Sequence, residues 1–292
     1  MPHTCLADMV RSEHTGFYMN PVTMAFRRTR QQPAIAYEEA GAGDAVLFLH
    51  GIGGNRRNWA GELERVGASF RAIALDFRGY GDSAAIEEPF EFADLAADAL
   101  GVLDELGVAR AHVVGLSMGG LVAQAVYARA PERVLSLCLV ACRSAAEPVL
   151  PGARRENFIQ ARLEPLRAGG PEALAQSLAP SLIGKQATPE ARDAVMASLR
   201  KLRTDSYLKI MDARMRIAPF LDPSTVNVPS MIVGSDEDMV APLEQMRALA
   251  EAIPQAQLAV IEGAGHLINI EKPDEFQAVL LEFLRGATKG GA

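Results

Sequence analysis

Short, continuous apolar runs alternate along this chain with segments whose apolar residues recur at helical spacing. Uninterrupted apolar runs of this length are typical of strands that are buried on both faces of a parallel sheet. The apolar runs cover residues 45–50, 71–77, 111–117, 134–142, 229–235 and 256–263, and the helical patterns cover 55–66, 92–106, 118–129, 243–253 and 273–284. Because strands that alternate with helices form right-handed crossovers, we predict an α/β fold with a mainly parallel central sheet flanked by helices.

The alternation stops between residues 144 and 222, where three helices are predicted without an intervening strand, over 154–167, 171–182 and 188–216. An all-helical segment inserted between two strands is predicted to form a cap over one edge of the sheet. We therefore divide the chain into a loose N-terminal extension, an α/β core in two segments and a helical cap. Their boundaries are 1–21 for the extension, 22–143 and 223–292 for the core, and 144–222 for the cap.

Charge and cysteine content exclude several classes of protein. The formal net charge of -7 argues against a nucleic-acid-binding protein, which usually carries a basic surface. Three cysteines without a Cys-x-x-Cys pair indicate neither a disulfide scaffold nor a zinc site. No apolar stretch approaches the ~18 residues of a membrane span, and the N-terminus lacks the pattern of a signal peptide. We expect a cytoplasmic protein without membrane or nucleic-acid partners, and the sequence leaves its oligomeric state open.

The sequence Gly115-Leu116-Ser117-Met118-Gly119 lies where a predicted strand meets a predicted helix. A serine on such a tight turn takes a strained backbone conformation, and only small residues fit two positions to either side. The start of the following helix also favours developing negative charge near the serine. Ser117 is therefore the candidate nucleophile.

A serine hydroxyl needs a general base, and the five histidines offer few candidates. His3 and His14 lie in the N-terminal extension, and His112 begins a strand at the end far from the serine. His50 precedes a glycine turn and is interpreted as a structural residue. His266 remains, and it follows the last predicted strand at the carboxyl edge of the sheet, where ligands bind in open α/β folds.

A carboxylate must orient this histidine, and a backbone site must hold the oxyanion. The loop after residues 229–235 offers both Asp236 and Asp238 as the carboxylate. The glycine-rich segment 50–54 closes an apolar strand and places the Ile52 amide as one oxyanion donor, with the Met118 amide as the other. A phosphate-binding loop is disfavoured, because the segment lacks both the Lys-Ser/Thr ending and the Gly-x-Gly-x-x-Gly spacing.

Five ordered stretches resemble the α/β-hydrolase family with a helical cap: HGIGG, DFRGYGDS, GLSMGG, GSDEDMVAP and GAGHLINIEKP. HGIGGNRRNW and RLEPLRAGG are similar to the branch of 3-oxoadipate enol-lactonases and carboxylesterases. The resemblance favours Asp238 as the triad acid, because Pro242 follows it by four residues as in the family pattern. It implies hydrolysis of a carboxylic ester or lactone through an acyl-enzyme, with neither metal nor organic cofactor.

The substrate is expected to be a small ester or lactone, and charge distribution suggests an anionic one. Twelve Lys/Arg against nine Asp/Glu between Glu147 and Asp222 give the cap a charge of +3, and most of these arginines are expected on its solvated face. Arg143 follows a buried strand at the carboxyl edge of the sheet, where it could bind a carboxylate. Arg57 and Trp59 are further candidate substrate contacts.

Three alternatives remain open at this stage. A hydrolase of carbon–carbon bonds in ring-fission products would use the same three residues. A perhydrolase or acyltransferase would differ only in the nucleophile that meets the acyl-enzyme. A non-catalytic ligand receptor on the same fold would usually lack one member of the triad.

Overall fold

The computed structural model describes residues 23–147 and 152–289, with side chains described outside 152–155. The extension predicted over 1–21 lies outside the described residues. The described chain contains one eight-stranded sheet with the order β1-β2-β4-β3-β5-β6-β7-β8. The strands are β1 (Ala25–Arg28), β2 (Ala36–Gly41), β3 (Ala45–Leu49), β4 (Arg71–Leu75), β5 (Ala111–Leu116), β6 (Val134–Val140), β7 (Ser230–Ser235) and β8 (Gln257–Ile261).

The six strands β4, β3, β5, β6, β7 and β8, in their order across the sheet, are parallel. Only the pairs β1–β2 and β2–β4 are antiparallel. The predicted fold class is therefore confirmed. Every residue of β3 and β5 is buried, because helices cover both faces of the sheet there. This burial explains why these strands are continuous apolar runs rather than alternating ones.

The strand register aligns the carboxyl ends of the central strands. Gly115 near the end of β5 lies level with Leu49 at the end of β3 and with Leu139 in β6. Val140 in turn pairs with Val233 of β7. The loops that follow these four strands consequently begin at the same edge of the sheet, where their side chains can converge on one site.

The core helices follow the predicted pattern closely. They are α1 (Ala60–Gly67), α2 (Ala93–Glu105), α3 (Met118–Arg129), α7 (Leu243–Ala252), α8 (Ile268–Glu271) and α9 (Pro273–Lys289), and the cap contains α4 (Gly152–Leu182), α5 (Pro189–Arg200) and α6 (Thr204–Met215). A short 3-10 turn over Arg56–Trp59 precedes α1, and the side chain of Asn55 caps it. No described helix is both long and apolar enough to cross a membrane.

Two breaks shape the cap, whose described part contains helices and no strand. Gly169 and Gly170 leave the helical conformation inside α4, and Gly170 has a φ of 65° that glycine adopts readily. The single helix predicted over 188–216 is instead two helices, because Arg203 is extended between them. The Arg203 guanidinium donates hydrogen bonds to the carbonyls of Gly79, Tyr80 and Ser83, which attaches the cap to the loop after β4. The exact boundaries of the cap and core stay a prediction.

Candidate active site

Ser117 occupies a sharp turn between β5 and α3. Its φ of 55° and ψ of -113° lie in a region that non-glycine residues rarely adopt. The turn is possible only because Gly115 and Gly119 lie where neighbouring backbone atoms leave no room for a side chain. A Cβ atom on Gly119 would lie 2.0 Å from the carbonyl oxygen of Leu49, and one on Gly115 would lie 2.3 Å from the carbonyl oxygen of Gly119. The strained turn leaves the Ser117 side chain partly exposed at the edge of the sheet.

His266 and Asp238 form a buried pair on the loops after β8 and β7. The Nδ1 atom of His266 lies 2.8 Å from Oδ2 of Asp238, and both side chains are at most 5% exposed. The other carboxylate oxygen of Asp238 accepts hydrogen bonds from the amides of Val240 and Ala241. With Asp238 ionised, its oxygens only accept hydrogen bonds, so Nδ1 of His266 carries the proton and Nε2 is left as the base.

Asp236, the alternative carboxylate, does not contact this histidine. Its Oδ1 atom accepts a hydrogen bond of 2.7 Å from the amide of Gly263 and so ties the β7 loop to the end of β8. The geometry therefore favours Asp238 over Asp236 as the partner of His266.

The backbone of His266 is fixed from two directions. Its amide donates to the carbonyl of Leu182 at the end of α4. The buried carboxylate of Glu271 accepts hydrogen bonds from the amides of Gly184 and Gly265. Glu271 thus joins the loop after α4 to the histidine loop, a positioning role that sequence reasoning missed although Glu271 lies in the GAGHLINIEKP stretch.

The candidate oxyanion donors lie beside the nucleophile. Within the described chain, neither the Ile52 amide nor the Met118 amide donates a hydrogen bond to a protein acceptor. His50 shapes the first loop, since its Nδ1 lies 2.8 Å from the Gly51 carbonyl while Nε2 accepts from the Phe77 amide. One ring nitrogen thus donates and the other accepts, as in a neutral imidazole, and burial lowers the pKa of His50 in the same direction.

A cavity of about 50 Å³ connects these groups beneath the cap. Ser117, His266 and Ile52 line it from the core. Cap residues also line it, and half of them are aliphatic. The cap lining comprises Phe158, Arg162, Leu178, Leu182, Val195, Ser198, Leu199 and Arg214. A serine and a histidine that line one cavity, with the Ile52 amide beside them, form an arrangement that is suited to acyl transfer.

The α/β-hydrolase fold family matches residues 44–273 of the chain. The chain belongs to this family. The RutD protein of Pseudomonas savastanoi pv. phaseolicola, named as a putative carbamate hydrolase, is 30% identical over 84% of this hydrolase and 96% of the relative.

Solved structures agree with the family assignment. A thermophilic esterase from Thermogutta terrifontis superposes with a TM-score of 0.81 at 27% identity, covering 91% of this chain and 99% of the esterase. The enol-lactonase of Burkholderia xenovorans LB400 gives a TM-score of 0.73 at 26% identity, covering 90% and 97% of the two chains. The chain is thus a hydrolase, in agreement with the prediction from its motifs.

Of the three predicted substrate contacts, one lines the cavity and two lie outside its lining. Trp59 lines the cavity, is buried, and packs against Phe48 and Phe276. Arg57 lies at the surface with its side chain 64% exposed, outside the described cavity lining. Arg143 is also outside that lining, and its guanidinium donates to the carbonyl of Glu147. The position of Arg143 after β6 was predicted correctly, but the direction of its side chain was not accessible from the sequence.

Two cap arginines that sequence reasoning placed on a solvated face instead line the cavity wall. Arg162 of α4 is 8% exposed, and Arg214 of α6 lines the same cavity. Most cap arginines were expected on a solvated face, and these two are exceptions. Helical spacing did not separate them from exposed arginines such as Arg200, because the cap helices have mixed polar and apolar faces.

Proposed function

We propose that this hydrolase cleaves carboxylic esters or lactones through an acyl-enzyme on Ser117, with His266 as general base and Asp238 as the orienting acid. The observation that carries the proposal is the buried 2.8 Å contact between His266 and Asp238 at the cavity that Ser117 lines. Serine activation requires such a base held in one tautomer by a carboxylate.

The first half of the reaction follows from this arrangement. Oγ of Ser117 attacks the substrate carbonyl while its proton passes to Nε2 of His266. The carbonyl oxygen becomes an oxyanion between the amides of Ile52 and Met118, and Asp238 stabilises the imidazolium. When the tetrahedral intermediate collapses, His266 returns the proton to the leaving oxygen, and the acyl group remains bound to Ser117.

The second half repeats these steps with water. His266 removes a proton from the water molecule, and the resulting hydroxide attacks the acyl-enzyme. Collapse of the second intermediate releases the carboxylic acid and returns the proton to Ser117. Each protein group thereby regains its starting protonation state without a metal or organic cofactor.

A labelling experiment tests the proposal. A fluorophosphonate probe should add once to the wild type and not to Ser117→Ala, as measured by intact-protein mass. Turnover of p-nitrophenyl acetate should require the same serine, and an enol-lactone assayed in parallel distinguishes lactonase from esterase. A folded wild type with neither adduct nor turnover would contradict the proposal and favour the receptor alternative.

Carbamate hydrolysis is a second candidate because of the similarity to RutD proteins. A carbamate carbonyl would enter the same steps and leave a carbamoyl group on Ser117. Faster turnover of a p-nitrophenyl carbamate than of the matched acetate would favour this activity. Ring-fission products and hydrogen peroxide, added to separate assays, test the carbon–carbon hydrolase and perhydrolase alternatives.

A further inference from the structure

Two arginines of the cap, the buried Arg162 and the partly buried Arg214, lie around one aromatic ring at the candidate active site. The guanidinium carbon of Arg162 lies 3.8 Å from the ring centroid of Phe158, and that of Arg214 lies 5.1 Å from the same centroid. All three residues line the cavity that contains Ser117 and His266. The cap therefore places positive charge in the wall of this cavity.

Two arginines of the core, the buried Arg56 and the partly buried Arg78, have evident partners. Arg56 contacts the carboxylates of Asp76, Glu38 and Asp82, and Arg78 pairs with Asp98. These arginines are structural, since their charges are neutralised within the fold. Their partners are the reference against which the surroundings of Arg162 and Arg214 are compared.

Arg162 and Arg214 lack such partners among the described residues. No described carboxylate lies within salt-bridge distance of either guanidinium, and the buried Nε atom of each has no hydrogen-bond acceptor. The hydroxyl of Tyr207, a fully buried neighbour on α6, also has no hydrogen-bond partner within the described chain. Several unsatisfied donors thus lie under the cap, where an unpaired charge is costly.

The charges persist despite that cost. Burial lowers the pKa of Arg214 to about 10, with further contributions from the nearby Arg143 and Arg162 charges, and burial also lowers the pKa of Arg162. A pKa of about 10 leaves Arg214 protonated at neutral pH. Because guanidinium groups stay protonated in proteins, the fold holds two cations next to the cavity, and an anionic ligand would offset their desolvation.

The rest of the cavity restricts the ligand. Leu178, Leu182, Val195 and Leu199 give it an aliphatic wall. A volume of about 50 Å³ corresponds to a few water molecules, since roughly 10–15 Å³ accommodates one. A short aliphatic chain with a planar carboxylate at its end matches the aliphatic wall and the guanidinium geometry.

We propose that Arg162 and Arg214 form a carboxylate subsite, so that the substrate's acyl part is a short dicarboxylate with one carboxyl group esterified. This inference rests on the proposed acyl-enzyme chemistry at Ser117. The free carboxylate lies between the two cap arginines while the esterified carbonyl reaches the serine.

The test compares esters that differ only in the terminal group. The monomethyl esters of succinate, glutarate and adipate carry a carboxylate, and the methyl esters of the corresponding monoamides carry a neutral group of nearly the same shape. Hydrolysis of each ester is monitored as acid release at constant pH. The ratio of kcat/KM within each pair then measures carboxylate recognition. We expect a ratio of roughly tenfold to a hundredfold for the best chain length, the effect of one or two charged hydrogen bonds.

Substitutions test whether the two arginines cause this preference for a carboxylate. Arg162→Met and Arg214→Met keep most of the side-chain length, and each should reduce the ratio by roughly tenfold. Arg200→Met is the matched control, because Arg200 is an exposed cap arginine paired with Glu172, and it should leave the ratio unchanged. Ratios near one at all three lengths, or unchanged ratios in both cavity variants, would overturn the subsite.

A binding measurement separates this inference from the proposed function. Calorimetric titration of Ser117→Ala with monomethyl glutarate should show binding that the added Arg162→Met substitution abolishes. If the wild type neither labels with fluorophosphonate nor hydrolyses any ester, the catalytic proposal fails while this titration still decides the subsite. If esters are hydrolysed but the titration shows no arginine-dependent binding, the subsite alone fails.

Discussion

Replacing Asp238 with asparagine tests the role of the carboxylate with almost no change in shape. The side-chain oxygen that accepts from the amides of Val240 and Ala241 can keep both hydrogen bonds, so the loop after β7 should stay in place. The new amide group would then face Nδ1 of His266, 2.8 Å away, and donate a hydrogen bond to it. Nδ1 must therefore be an acceptor, which moves the proton of the neutral ring to Nε2.

A histidine protonated at Nε2 cannot accept the proton of Ser117. The wrong tautomer and the lost stabilisation of the imidazolium together should lower kcat by about 10⁴, as for the equivalent change in chymotrypsin-like proteases. At about 1.36 kcal/mol for each factor of ten, that is roughly 5 kcal/mol of transition-state stabilisation. The loss arises from protonation and charge, since the fold retains every backbone hydrogen bond to the side chain.

The assay is the initial rate of p-nitrophenyl acetate hydrolysis, with unfolding midpoints to confirm that each variant is folded. Asp236→Asn is the matched control, because Asp236 contacts the Gly263 amide rather than the histidine. Its rate should stay within about threefold of the wild type. Comparable losses in both variants, or a fully active Asp238→Asn, would refute the assignment.

Three further predictions concern stability. Arg162→Met should raise the unfolding midpoint, because it removes a buried charge that has no carboxylate partner among the described residues. Arg56→Met should lower the free energy of unfolding by about 3–5 kcal/mol, because it leaves the buried Asp76 carboxylate without its partner. Lowered midpoints in both variants would contradict this prediction. Gly119→Ala should lower the free energy of unfolding, measured by urea denaturation, by about 1–3 kcal/mol, because the new Cβ would lie 2.0 Å from the carbonyl oxygen of Leu49. Gly286→Ala is the control and should leave this free energy unchanged, because a Cβ there would lie in open space. Burial raises the pKa of Glu62 to about 7, so the folded state binds the extra proton and stability falls as pH rises from about 4.5 to 7. Glu62→Gln should therefore gain roughly 2–4 kcal/mol over the wild type at pH 8.5 and little at pH 4, and an equal gain at both would refute this.

Much of the fold followed from local patterns. The buried strands β3 and β5 were predicted from apolar runs because helices on both faces leave no polar positions in them. The split between α5 and α6 was missed, since Arg203 breaks the helix through hydrogen bonds to a loop more than 100 residues earlier in the chain. Helical periodicity contains no information about such a distant partner.

The sequence by itself determined the strand–turn–helix around Ser117 and the position of His266 after the last strand. Both depend on residues adjacent in the chain, namely the small side chains beside Ser117 and the glycines before His266. Only the tertiary structure decided which acid reaches His266, because Asp236 and Asp238 are two residues apart and differ in the direction of their side chains. It also separated Arg162 and Arg214 from the exposed cap arginines, since burial depends on how α4 and α6 pack over the sheet and not on the residue type.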